Sequence, residues 1–215
     1  MKKLFLLFLL LSASFLIWKG YEAYSIQKST ENASKALAPL LEYRELYESG
    51  RSREANDVLL KVVAQLVTYD NQSLEIKEIL LKCELINNTP TNYSDLLTES
   101  LLRNLKIARE LKLDTPENVE LMRQGRSPIV GAGPYEGEKA EVDHIIPRAL
   151  APDLDNLLIN LELMPMTLNR RKSDKVTQRA AQMAKKFYEA GVMMGESFER
   201  VIMAYGERSG MREGI

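Results

Sequence analysis

Cysteine and histidine are nearly missing from this chain: each occurs once, as Cys83 and His144. A single thiol excludes an intramolecular disulfide and any thiolate zinc site, so an exported form of the protein would be held by its core alone. Cys83 lies in the helical pattern Ile76, Ile79, Leu80, Cys83, which suits a small buried apolar residue. Excess charge of either sign is missing too, with 29 basic residues against 30 acidic ones and a formal net charge of -1. Nothing global therefore draws the chain to a polyanion, and any such surface must come from local clustering. What remains is ordinary globular material, 45% hydrophobic and 27% charged over 215 residues, enough for one or two domains and a sizeable core.

The apolar run at the start, Leu4 to Trp18, follows two lysines and ends at Lys19, the layout of a secretory n-region and h-region. It is short for a span, since a helix needs about 20 residues to cross the hydrocarbon core. Small residues at Ser12-Ala13-Ser14 and at Ala23-Tyr24-Ser25 offer cleavage points, and an uncleaved anchor is the alternative. The expected location is outside the cytoplasm: periplasmic, anchored in the inner membrane, or secreted. A buried N-terminal helix is the competing structural reading.

The chain divides into residues 1–25, a signal peptide or anchor, then 26–113, 114–192, and a C-terminal helix and tail over 193–215. Residues 26–113 read as a helical bundle. Val58, Leu59, Val62, Val63 and Leu66 form one helical stripe and Leu97, Leu101, Leu105 and Ala108 another, with turns at "ESGRS", "YDNQS" and "NNTPTN". No signature recurs at a fixed period, so repeats are not assigned. This half suits a scaffold or a dock for a protein partner, of unidentified kind. Thr115, Pro116 and Glu117 then mark the start of one more helix. After it, "RSPIVGAGPYEGEKA" is rich in turn formers and lacks helical spacing. Two short extended runs are expected, about Ala140 to Ile146 and Leu161 to Met164, then a helical turn capped by Thr167. A helix over about Val176 to Gly191 follows, and a frayed tail begins at "GERSG". The fold class expected is mainly α with a small α+β domain.

His144 follows Asp143 in the first extended run, where neighbouring side chains point to opposite faces unless the backbone bends. Downstream come Asn160, Asn169 and the cations Arg170, Arg171, Lys172, Lys175 and Arg179. Oxygen ligands such as Asp143 and the Asn169 amide suit a hard divalent cation, and an imidazole beside clustered cations suits phosphodiester hydrolysis. Each signal alone has a plainer reading, a structural histidine or a solvated basic face.

Together, Asp143-His144-Ile145-Ile146-Pro147, Asn160-Leu161 and Asn169-Arg170-Arg171-Lys172-Ser173-Asp174 resemble the HNH endonuclease superfamily. The third motif position is asparagine, as in the HNH domain of RNA-guided CRISPR nucleases. The likeness covers roughly Arg123 to Gly191, and the zinc-binding cysteine pairs of many HNH domains are missing. It implies a ββα-metal fold, a two-stranded hairpin on a helix around one divalent ion, magnesium or alternatively manganese. It further implies that Asp143 and Asn169 bind the metal, that His144 is the general base, and that Asn160 holds the loop and steers the histidine. Lys172 and one of Arg148, Arg170 or Arg171 would neutralise phosphoryl charge, with Lys175 and Arg179 adding to the nucleic-acid contacts. Asn156 competes with Asn160 for the middle position, and spacing selects Asn160.

The activity expected is endonucleolytic hydrolysis of DNA with low sequence specificity, since no recognition helix or zinc finger accompanies the motif. RNA as substrate stays open. The alternative is a membrane-tethered helical interaction protein whose HNH-like domain is not catalytic.

Overall fold

The structure is a computed structural model, and it describes residues 19–21, 24, 55–69 and 91–209. The apolar leader run and the Ile76 to Cys83 pattern lie outside the described residues. Among those described, no helix is long and apolar enough to cross a membrane. Among the described residues the architecture is mainly helical with one small antiparallel sheet of two strands.

Helix α1 spans Ala55–Tyr69. Val58, Leu59, Val62, Val63 and Leu66 are buried as the spacing predicts, with Ala55 on the same stripe, and so are Leu60 and Ala64 off it. A helix apolar on more than one face belongs inside, and α1 packs on both α2 (Thr91–Glu110) and α3 (Pro116–Arg123). In α2 the expected stripe holds at Leu101, Leu105 and Ala108, with Leu97 only partly buried. Two polar residues of the same helix, Ser100 and Asn104, are fully buried, which apolar periodicity does not foresee. At α3 the Thr115 side chain accepts a bond from the Asn118 N–H, and Pro116 takes the first helical position, where its missing N–H costs nothing.

The turn-rich segment leads the chain back along this bundle. The Asn118 side chain pairs with both backbone groups of Ile129 (2.7 and 2.8 Å), and the Gly131 N–H donates to the Leu111 carbonyl at 2.8 Å. A Cβ at Gly131 would stand 2.9 Å from the Lys112 carbonyl oxygen, so this close approach requires glycine.

Strand β1 (Ala140–His144) pairs with β2 (Leu161–Pro165), setting Asp143 opposite Glu162 and Val142 opposite Leu163. Helix α4 (Met166–Lys172) follows at once, then α5 (Gln178–Glu189) and α6 (Gly195–Ser209). Two expectations need correction here. Thr167 is not the N-cap of α4: Pro165 holds that position, and Thr167 gives both its N–H (2.9 Å) and its hydroxyl (2.7 Å) to the Glu138 carboxylate. The acceptor that a cap would supply locally comes from 29 residues upstream. The stretch "GERS" is not frayed tail either, because α6 continues through it to Ser209.

The hairpin lies between two apolar clusters. Ala140, Leu161 and Leu163 join α1, α2, α3 and Leu113 in one, while Ile145, Ile146 and Ile159 join Leu154, Ala180, Ala184, Phe187 and Val201 in the other. The first cluster therefore runs unbroken across residue 113.

Candidate active site

Alternation along β1 sorts the site. Val142 packs on the first cluster with Leu163, so Glu141 and Asp143 occupy the other face, towards α4. On α4 the residues that meet them are Asn169 and Lys172, three apart and therefore on one side of the helix. The Asn169 Nδ2 donates to Glu141 Oε2 at 2.9 Å, and the Lys172 ammonium reaches Asp143 Oδ2 at 2.5 Å. Lys172 also donates to the His144 backbone carbonyl. The adjacent aspartate and histidine thus keep their opposite side-chain directions, and one ammonium joins them through a carboxylate and a carbonyl. Only 14% of the Lys172 side chain and 18% of Asp143 are exposed, so water screens this pair incompletely.

His144 ends β1 at the mouth of the connecting loop. Its Nε2 lies 2.5 Å from the Asp155 backbone oxygen and 3.1 Å from Asp155 Oδ1, and Arg148 Nη1 stands 3.8 Å from the other carboxylate oxygen. The loop is held from within by Asn160, which is fully buried. Its Oδ1 accepts from the Ile146 N–H (2.9 Å), and its Nδ2 donates to the carbonyls of Ile146 (3.1 Å) and Leu154 (3.4 Å). The Asn160 backbone oxygen also accepts from the Ile145 N–H at 2.7 Å. One amide so fixes the residues just after His144 and just before Asp155.

The basic residues fall into two groups. Arg148, Arg170, Arg171 and Lys175 are exposed, with Lys175 Nζ donating back to the Arg171 carbonyl at 3.3 Å. Arg179 instead directs both terminal nitrogens onto the buried Glu162, one bond measuring 3.1 Å. Arg103 Nε approaches the same carboxylate at 3.8 Å. Burial lowers the proton affinity of the Arg103 guanidinium while Glu162 raises it, so the carboxylate is what makes a buried cation tolerable. The Glu138 carboxyl is held below the ordinary range, first by the Thr167 hydroxyl, then by the Thr167 N–H, with Arg170 and Arg171 contributing.

No family model matches this chain, nor does any curated protein or solved structure. Among the described residues no three His, Cys, Asp or Glu side chains gather as a metal-binding group. The donors on the α4 side of β1 are mixed: the carboxylates of Glu141 and Asp143 and the amide of Asn169, whose Oδ1 is an acceptor once Nδ2 is turned to Glu141. An all-oxygen set completed by water suits a hard divalent ion, and an ammonium held between Asp143 and the His144 carbonyl indicates a spot that favours positive charge.

The structure thus joins Asp143 and Lys172 at the His144 end of β1, sets Asn169 beside Glu141 on the same strand face, and places Asn160 beneath the loop. Sequence reading missed Glu141, Asp155, Glu162 and Arg103. Glu141 alone carried a signal, two residues before Asp143 and so on the same strand face.

Proposed function

We propose that this chain is a metal-dependent endonuclease of the HNH type, hydrolysing phosphodiester bonds of DNA with low sequence specificity and acting outside the cytoplasm. The observation that carries the reading is the strand-to-helix pairing of Glu141 and Asp143 with Asn169 and Lys172, on the strand that ends in His144. The leader-like N-terminus supports the location, and the mixed oxygen donors support magnesium or manganese as the ion.

In this reading Asp143, with Glu141 and the Asn169 amide oxygen, would hold the ion. Bound there, it would polarise the phosphate and stabilise the departing 3′ oxygen. His144 accepts a proton from the attacking water, whose oxygen bonds to phosphorus as the bond to the 3′ oxygen breaks, and that oxygen takes up a proton from solvent. Lys172 places positive charge at the same strand end, where negative charge grows on the phosphoryl group. Arg148, Arg170, Arg171 and Lys175 are exposed cations fit to hold neighbouring phosphates, which fixes position without reading bases. Arg179 contributes by holding Glu162.

Incubating the purified chain with plasmid DNA, with and without magnesium, tests the proposal. Cleavage that needs the ion, and that falls about 10²–10⁴-fold in His144→Ala with the fold intact, is the expected result. Cleavage unchanged in both His144→Ala and Asn169→Ala would leave the non-catalytic interaction protein as the better reading.

A further inference from the structure

Glu162 lies directly across the hairpin from Asp143, so the two carboxylates share one face with their Cβ atoms about 5 Å apart. Like charges so placed repel, and each has its own cation: Lys172 for Asp143, Arg179 for Glu162. Glu162 has a second cation as well. Arg103 reaches over from α2, its Nη2 donating to the Ser100 hydroxyl (2.9 Å) and the Ile159 carbonyl (3.2 Å). Its buried Nε has no hydrogen-bond partner among the described residues and stands 3.8 Å from Glu162 Oε2. Two guanidinium groups thus share one carboxylate, and the cluster keeps a net positive charge. Arg179 is its outward part, with 51% of the side chain exposed against 5% for Glu162. Each terminal nitrogen of Arg179 gives one N–H to the carboxylate, and a guanidinium has five. The other three have no partner among the described residues. A head fixed by a fork on a buried carboxylate, with half of its side chain in solvent, offers an anion a donor set already ordered.

We propose that Arg179 binds a backbone phosphate of DNA next to the one cleaved beside Asp143, and that Glu162 is the positioning residue that holds its guanidinium ready. The proposal rests on the nuclease reading for its ligand, but its test needs no cleavage. A fluorescein-labelled DNA duplex, titrated with the full-length protein in the absence of divalent ions, reports binding by anisotropy over a range of potassium chloride concentrations. Arg179→Ala should weaken binding several-fold at low salt and make the slope of log affinity against log salt shallower by about 1, the loss of one phosphate contact. Its fold should hold, since Glu162 retains Arg103. Glu162→Gln separates position from charge. A carboxylate acting only through its field would give tighter binding to DNA when neutralised. An Arg179 released from its fork must be ordered by the ligand instead, and the expected result is weaker binding. Arg179→Lys retains the charge without the fork, and its affinity should fall towards that of Arg179→Ala.

An unchanged salt slope in Arg179→Ala overturns the phosphate contact. Binding that tightens in Glu162→Gln, or that Arg179→Lys retains in full, overturns the part assigned to Glu162. If Glu162→Gln does not fold, the two Arg179 variants decide. A chain that binds the duplex with the expected variant effects, yet cleaves no DNA in magnesium, sinks the nuclease reading and leaves the Arg179 site standing. One that cleaves DNA while Arg179→Ala keeps the wild-type slope does the reverse, and one that binds no duplex overturns both.

Discussion

Lys172 shows how much one side chain carries at this strand end. Its ammonium is the counter-charge of a mostly buried Asp143, and removing it strands that carboxylate. Lys172→Met should therefore destabilise the fold by about 1–3 kcal/mol, read from urea denaturation, less than a fully buried pair would cost because part of the site meets water. Asn160→Ala should cost more. The backbone groups of Ile146 would lose their partner at about 1–3 kcal/mol each, and the melting temperature should fall by several degrees. Asp143, His144, Asn160 and Asn169 stood out in the sequence through an order and spacing that resemble the HNH pattern, each being a weak signal alone. Asp155 and Glu162 were not, since the partner of a charge 11 or 17 residues away depends on which way a loop turns.

Among the elements, α4 is the one whose placement the site depends on, and Glu138 secures its first turn through Thr167. Since the folded state holds the Glu138 carboxyl below its ordinary range, its stabilising effect is complete above the unfolded value and is lost as pH falls through the lower folded one. Glu138→Gln removes that dependence. Thermal melts should show wild type more stable at about pH 7, with the gap to the variant closing as pH falls below the ordinary carboxylate range. Strand and helix spans were readable from alternation and helical spacing. The start of α4 was not, because a threonine near a helix start resembles a cap unless the distant carboxylate is known. α2 carries a further role that periodicity hides. Asn104 donates to the Leu161 carbonyl (3.0 Å) and accepts from the Leu163 N–H (2.8 Å), so its amide closes the outer edge of β2 as a third strand would. Ser100 and Arg103 extend this with bonds to the carbonyls of Leu158 and Ile159.

For the whole molecule, these contacts bear on why α1, α2 and α3 precede the site. Leu113, Val119 and Met122 share one apolar cluster with α1, α2 and the strands, and β2 finds its edge partner in α2. A fragment of residues 114–215 should therefore lack a cooperative melt and a dispersed amide spectrum, while the full chain shows both. Sequence patterning suggested two regions with a boundary near 113, since it identifies apolar faces but not which faces meet.

The amide that closes β2 also has a place in time. Asn104 lies 57 residues ahead of Leu161, so it leaves the ribosome, or a membrane pore, before the strand it covers. An edge that would otherwise be open to pairing with a neighbouring molecule is thus delivered to a helix synthesised before it.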